Sequence, residues 1–334
     1  MKILVSGGAG YIGSHTVFKL IETGHEVAVF DNLEYGHREA IDIIQEITES
    51  SVRFYLGNLL NYEDIEYAIE DSQPDAIVHF AAYAYVGESV TDPVKYYQNN
   101  ISGGVNLLKA MQTHNVDKIV FSSTCAIFGQ PDTLPISENL PKKPINPYGR
   151  SKLMFEQILG DADKAYGIKN VCLRYFNAAG AEPRGFLGED HDPETHLIPL
   201  VINTALGKRE SISIFGTDYD TEDGTCIRDY IHVLDLADAH VKAVEYLETT
   251  MKSEKINLGT GKGASVKEII VSVKELTEKL IMVREEPRRE GDPAVLVADN
   301  ARAKQILGWE PVYSLDDMLS HAVKWHMTKD TFEY

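Results

Sequence analysis

Cysteine is scarce. The 334 residues hold three, Cys125, Cys172 and Cys226, an odd number set far apart. That excludes a disulfide framework and any cysteine metal pattern, and it suits a reducing cytoplasm. All three read as buried small hydrophobes. Positive charge is also short. Lys and Arg total 32 against 51 Asp and Glu, for a net charge of −19. Nucleic acid and anionic membrane both need a basic surface, so both are excluded as partners. An anionic ligand would need local Arg or Lys to overcome the global field. No apolar run approaches the roughly 20 residues of a membrane span. Lys2-Ile3-Leu4-Val5 reads as a strand, not as a signal peptide. There is no internal repeat, no low-complexity linker and no expected metal site.

What remains is ordinary for a globular chain: 43% apolar and 25% charged residues. The length allows one large domain or two. The first apolar run ends in Ser6-Gly7-Gly8-Ala9-Gly10-Tyr11-Ile12-Gly13. Gly8, Gly10 and Gly13 fit G-x-G-x-x-G, and Gly7, Gly10 and Gly13 fit G-x-x-G-x-x-G. A helical pattern through Val17, Leu20 and Ile21 follows, then a strand from Glu26 to Phe30 ending in Asp31. The acid lies near the roughly 20 residues expected beyond the glycines of a dinucleotide fold. Glycines let backbone N–H groups reach a pyrophosphate at a helix N-terminus. Asp31 can accept from ribose hydroxyls and would repel a 2′-phosphate. Asn32, not Arg, follows it. NAD is therefore favoured over NADP.

The alternation continues. Strands are expected at Val52 to Leu56, Asp75 to Phe80, Lys118 to Phe121 and Lys169 to Tyr175. Helices are expected at Glu63 to Ile69, at Val94 to about Thr113 with a break near Gly103-Gly104, and at Gly149 to Gly167. This predicts an α/β fold, a Rossmann-type doubly wound parallel sheet. Asp31, Ala81-Ala82 and Ser122 to Thr124 fall at the strand ends where such sheets bind ligands. After Asn177 the regular alternation is lost. The expected organisation is an NAD-binding domain at 1–177, with 229–258 returning to it. A smaller substrate lobe is built from 178–228 and 259–334.

Asn146-Pro147-Tyr148-Gly149-Arg150-Ser151-Lys152 puts Tyr148 and Lys152 one helical turn apart, on one face. A cation beside a phenol is expected to lower its pKa from about 10. Such a Tyr can exchange a proton with an alcohol. Thr124 ends the preceding strand and can bond the substrate oxygen or relay its proton. Beside a nicotinamide, the three imply alcohol oxidation or ketone reduction.

With those motifs the chain resembles the extended short-chain dehydrogenase/reductases and, within them, the UDP-sugar 4-epimerases. The resemblance spans essentially the whole chain. It rests on the glycine motif through His15, Asp31-Asn32-Leu33, Val86 to Ser89, Asn146 to Lys152, Leu173 to Asn177, Phe215 to Tyr219, Asp223 to His232 and Arg288 to Asp292. It implies retained NAD and transient oxidation at sugar C4, with reduction from the opposite face. UDP-glucose and UDP-galactose would be interconverted. It implies Tyr148 as base, aided by Lys152 and Thr124. Around the cofactor it implies Gly7, Gly10, Tyr11, Ile12, Gly13, Asp31, Asn32, Asn58, Leu59, Phe80, Ala81, Ala82, Asn99, Ser122 and Tyr175, with Tyr148 and Lys152. Around the substrate it implies Thr124, Asn177, His196, Leu197, Phe215, Arg228, Arg289, Asp292 and Leu296. A homodimer through helices near 94–113 and 149–167 is also implied.

The chain departs from the family pattern in places. Asn58 stands where an Asp commonly meets adenine, and Ala84 where a Lys often reaches the NAD phosphates. Thr195-His196-Leu197 replaces an Asn-Asn-Leu run, and Leu296 replaces a bulky Tyr. The smaller Leu296 leaves room for a 2-acetamido group. Alternatives are therefore an epimerase acting mainly on UDP-N-acetylglucosamine/galactosamine or UDP-xylose/arabinose, and a non-catalytic NAD-binding protein. Cys125 and Ala126 after Thr124 argue against a dehydratase. Without the family, Arg228 flanked by Asp229 would read as a surface ion pair. Asp292 beside Arg289 could equally be a structural pair.

Overall fold

The structure is a computed structural model and describes residues 1–289 and 292–329. The first half runs β1 (Lys2–Ser6), α1 (Tyr11–Glu22), β2 (Glu26–Asp31), α2 (Arg38–Thr48), β3 (Arg53–Leu56), α3 (Tyr62–Ser72), β4 (Ala76–His79), α4 (Val86–Thr91), α5 (Pro93–Tyr97), α6 (Gly104–Thr113), β5 (Lys118–Thr124), α7 (Pro147–Tyr166) and β6 (Lys169–Tyr175). Then come β7 (Asn177–Ala179), α8 (Leu197–Ala205), β8 (Ile212–Phe215), β9 (Ile227–His232), α9 (Val233–Thr250), β10 (Glu254–Asn257), β11 (Gly263–Ser265), α10 (Val266–Thr277), β12 (Val283–Glu286), β13 (Val295–Leu296), α11 (Ala301–Leu307) and α12 (Leu315–Thr328).

Seven parallel strands form the main sheet in the order β10-β6-β5-β4-β1-β2-β3. Their apolar runs are buried because helices cover both faces. Val5, Val29, Val78 and Val171 face one core, with Val17, Leu236 and Trp309. Leu4, Ile77, Ile119 and Cys172 face the other, with Ile65, Leu107 and Phe155. The strand order reverses between β1 and β4, the place where such sheets bind ligands. The second body holds β11-β9-β13 with β7 against β9, the β8–β12 pair, and a core of α8, α10 and α12 residues.

Two expectations need correction. β9 belongs to the second body's sheet, so the chain rejoins the main sheet at α9 and β10, a few residues later than 229. The helix after Val94 does not break at Gly103-Gly104. Its irregularity is a π-turn over Gln98–Gly103, and Gly103 and Gly104 are both right-handed helical. Gly104 is there for contact: a Cβ would lie 2.3 Å from the Phe155 ring on α7.

Candidate active site

The glycine turn lies at the reversal of strand order. Gly7 has φ +75°, and a Cβ there would lie 2.5 Å from Ala81 N. A Cβ on Gly13 would lie 2.0 Å from Gly7 O. Phe80 N and Ala81 N donate to Ser6 O at 2.8 and 3.0 Å, which presses the end of β4 against the turn. Gly10 caps α1 without a side-chain bond, and the first turn holds no acid. The first amides of α1, at Tyr11 and Ile12, are therefore available to an anion. Tyr11 itself turns away: its hydroxyl donates to Gly180 O at 2.7 Å.

Asp31 is buried at the end of β2. Its carboxylate accepts from Ala9 N at 3.0 Å and Leu33 N at 2.9 Å. Burial nevertheless pushes its pKa above the usual carboxylate range. Two bonds leave lone pairs for ribose hydroxyls. Asn32 turns to Glu34 and accepts from Glu34 N at 3.1 Å. Asn58 Oδ1 accepts from Leu60 N at 2.9 Å, so of its side chain the amide N–H groups remain for a base. Leu59 is buried beneath the π-turn. Asn99 points to its neighbour Asn100, at 3.1 Å. Asn100, which sequence reasoning missed, is the anchoring residue. It bonds Tyr83 N and O at 2.9 and 3.0 Å and Ser151 Oγ at 3.1 Å. Its place in a π-turn, often a functional irregularity, was not visible in the spacing. The cradle a Cβ would fill, the open helix end and the buried acid together fit a dinucleotide.

Asn146 caps α7 by accepting from Gly149 N at 2.8 Å, with Pro147 at the first position. Tyr148 and Lys152 follow on one face. Lys152 is buried; its Nζ donates to Ser122 O at 2.8 Å and lies 6.0 Å from the Tyr148 ring centroid. Tyr148 shares a hydrogen bond with Thr124. Ser122 Oγ and Tyr175 OH lie 2.5 Å apart. The expectation of a phenol lowered by its lysine is not met in the protein alone. Burial raises Tyr148 to about 12, against a partial lowering by Thr124. Burial also lowers Lys152 to about 7, with Glu156 opposing. Desolvation outweighs the pair because the ammonium is turned toward the strand carbonyl. Glu156, one turn beyond Lys152, was missed too. It accepts from Arg174 at 2.9 and 2.6 Å and from Ser123 Oγ at 2.6 Å, all buried.

Most residues expected on the substrate side lie in the second body. Asn177 opens β7 and pairs with Tyr230 of β9. Arg228 on β9 pairs with Asp292. Asp229 is no partner of Arg228: it bonds Thr260, Gly261 and Ala298 backbone groups and Thr260 Oγ1. Arg289 lies 3.8 Å from the Phe215 ring centroid. Asp292 is bonded to Arg228, not held as a side-chain pair with Arg289. Leu296 packs with Phe176 against Cys125, Ile127 and Phe128, the stretch just after Thr124. His196 caps α8 ahead of Leu197 but bonds Glu189. Burial raises the Cys125 and Cys226 thiols above their ordinary range, as suits buried small hydrophobes.

A dinucleotide cradle beside Thr124, Tyr148 and Lys152 defines an enzyme that moves a hydride at an alcohol carbon. The model of the NAD dependent epimerase/dehydratase family matches residues 3–259, and the chain belongs to that family. The chain is 52% identical over 327 residues to a UDP-glucose 4-epimerase of Halalkalibacterium halodurans, covering 98% of this chain and 96% of that one. A UDP-glucose 4-epimerase of Bifidobacterium longum, solved with NAD+ and UDP, superposes with TM-score 0.95 at 39% identity, covering 99% of each chain. A UDP-Glc/GlcNAc 4-epimerase of Campylobacter jejuni superposes with TM-score 0.86 at 43% identity, covering 98% of this chain and 99% of that one.

Proposed function

We propose that the chain interconverts UDP-glucose and UDP-galactose by transient oxidation at sugar C4. The observation that carries this is Thr124, Tyr148 and Lys152 gathered at the strand ends beside the glycine turn. NAD, held by the glycine turn, the first amides of α1 and Asp31, supplies the hydride acceptor when bound. Tyr148 takes the 4-hydroxyl proton, directly or through Thr124. Lys152 holds the local potential positive, so that the phenolate is favoured once the site is filled. The 4-keto sugar turns over in the pocket, and Tyr148 returns the proton as the other face is reduced. Such a cycle requires a firm hold on the nucleotide and a loose hold on the sugar. Arg228 and Arg289 suit the diphosphate, and Phe215 the base.

A second reading, a 4-epimerase of N-acetylated UDP-hexoses, is favoured by Leu296. Its side chain shares a wall with Phe128 and Phe176 where a larger ring would intrude. In the same reading, residues 1–177 with α9 and β10 hold the cofactor, and the remainder holds the nucleotide sugar. A homodimer through the helices near 94–113 and 149–167 is supported by Val94, Val105 and Met154, all exposed there. Sedimentation of the purified protein tests the dimer. No helix among the described residues is long and apolar enough to cross a membrane. Three buried free cysteines suit the cytoplasm.

The test is incubation with UDP-galactose without added NAD. Conversion to UDP-glucose is expected. No conversion with or without NAD, for any UDP-sugar, leaves only a binding protein.

A further inference from the structure

Residues 189–196 carry four metal-ligating side chains within eight positions. Glu189, His191, Glu194 and His196 each offer one ligand atom, and all four atoms lie within 4.8 Å of one another. His191 Nδ1 is 3.2 Å from Glu189 Oε1 and 3.9 Å from a Glu194 oxygen. His196 Nδ1 is in contact with Glu189 Oε1 and 3.6 Å from Glu194 Oε1, the other oxygen of that carboxylate from the one nearest His191. Zinc bonds of 2.0–2.2 Å in a tetrahedron place ligand atoms roughly 3.3 Å apart. The His191 Nδ1–Glu189 Oε1 separation, 3.2 Å, is close to that edge, and all four ligand atoms lie near enough to reach it with small side-chain shifts.

We propose that Glu189, His191, Glu194 and His196 form a closed four-coordinate site for a divalent cation of the zinc class. Both imidazoles turn Nδ1 to the same carboxylate oxygen. His191 Nδ1 is buried and faces Glu189 Oε1 without well-aligned hydrogen-bond geometry, so its lone pair is left for an ion to engage. Two carboxylates and two neutral imidazoles balance a 2+ ion. An N2O2 set suits zinc better than magnesium or calcium, which prefer all-oxygen shells.

The surroundings hold the ligands in place. Glu194 Oε1 accepts from Thr195 N and His196 N at 2.7 and 2.8 Å. Glu189 O accepts from Trp325 Nε1 at 2.9 Å. The Tyr11 and Tyr85 rings each meet His191 edge-on at 6.2 Å. Four protein ligands leave no open position, so the role is structural. The ion would pin the loop before α8 beside Tyr11, the first residue of the helix behind the glycine turn.

The test uses the full chain, stripped with a chelator and titrated with Zn(II) against a chromophoric competitor. One equivalent per chain is expected, with a rise in melting temperature. His191→Ala and Glu194→Gln should each weaken binding by about ten-fold or more and lose that rise. Co(II) should give the intense visible bands of a four-coordinate site, absent in both variants. If His191→Ala does not fold, Glu194→Gln decides, because its amide oxygen can still accept from Thr195 N and His196 N. Substoichiometric zinc, the pale spectrum of six-coordinate cobalt, or unchanged affinity in the variants overturns the proposal.

Discussion

Lys152 turns its ammonium to the Ser122 carbonyl, 2.8 Å away, and not to the Tyr148 hydroxyl one turn before it. In the protein alone burial holds the phenol high, near 12, and the amine low, near 7. In the proposed cycle the pair acts once cofactor and substrate change these surroundings. Tyr148→Phe should lower kcat by about 10²–10⁴ while UDP binding is retained. Steady-state kinetics with calorimetric UDP titration measures both. Unimpaired turnover would take the base role from Tyr148.

The same burial has a stability signature. The folded pKa of Lys152 lies below its ordinary 10.5. Between about pH 7 and 10.5 the unfolded chain binds the extra proton, so this group's contribution to stability rises with pH. Its penalty is full below pH 7. Lys152→Met should thus raise the melting temperature of the cofactor-free protein at pH 7, and the gain should shrink toward pH 10. Melting curves of both proteins at the two pH values decide. A difference independent of pH would sink the idea.

Gly13→Ala should leave the chain folded but without NAD. The added methyl meets Gly7 O, so the turn must open where the pyrophosphate is expected to bind. Cofactor released from the purified variant by acid, then measured by absorbance, gives the answer. Stoichiometric NAD in the variant would contradict the placement.

Arg174 and Glu156 form a fully buried pair. Arg174→Met leaves the carboxylate with Ser123 and with the half-exposed Lys255, 3.8 Å away. Removing one partner of such a pair costs about 3–5 kcal/mol. Urea unfolding should show that loss. It should be smaller in the double variant Arg174→Met/Glu156→Gln, where no lone charge is left inside.

Leu296→Tyr should cut turnover of UDP-N-acetylgalactosamine more than that of UDP-galactose. The larger ring takes up space beside Phe176 and Phe128. The ratio of the two kcat/KM values is the readout, and an unchanged ratio would clear Leu296 of any role in selection.

The parts legible in the sequence were those written in local spacing. Glycines, helix start and Asp31 lie within one β-α-β unit, and Tyr148 and Lys152 within one turn. Such short-range order survives folding almost unaltered. The parts missed depend on what comes from far away. The direction of the Lys152 ammonium depends on a carbonyl thirty residues earlier. The role of Asn100 depends on Tyr83 and Ser151. Asp229 looked like a partner for Arg228 because it is adjacent, yet on a strand adjacent side chains point to opposite faces. Arg228 instead found Asp292, and Asp229 turned inward to bind loop amides. Residues 189–196 fall in the stretch after Asn177 where the alternation is lost, with His196 expected on the substrate side, and only folding gathers the two histidines and two glutamates.

Tyr11 begins the helix behind the glycine turn, and its hydroxyl is held by Gly180 at the start of the second body. His37 reaches Asp190 O in the same way, at 2.9 Å. The wall of the cofactor groove is thus stitched to the body that receives the sugar. The sugar-receiving body cannot part from this wall without breaking both bonds, so opening on one side loosens the other.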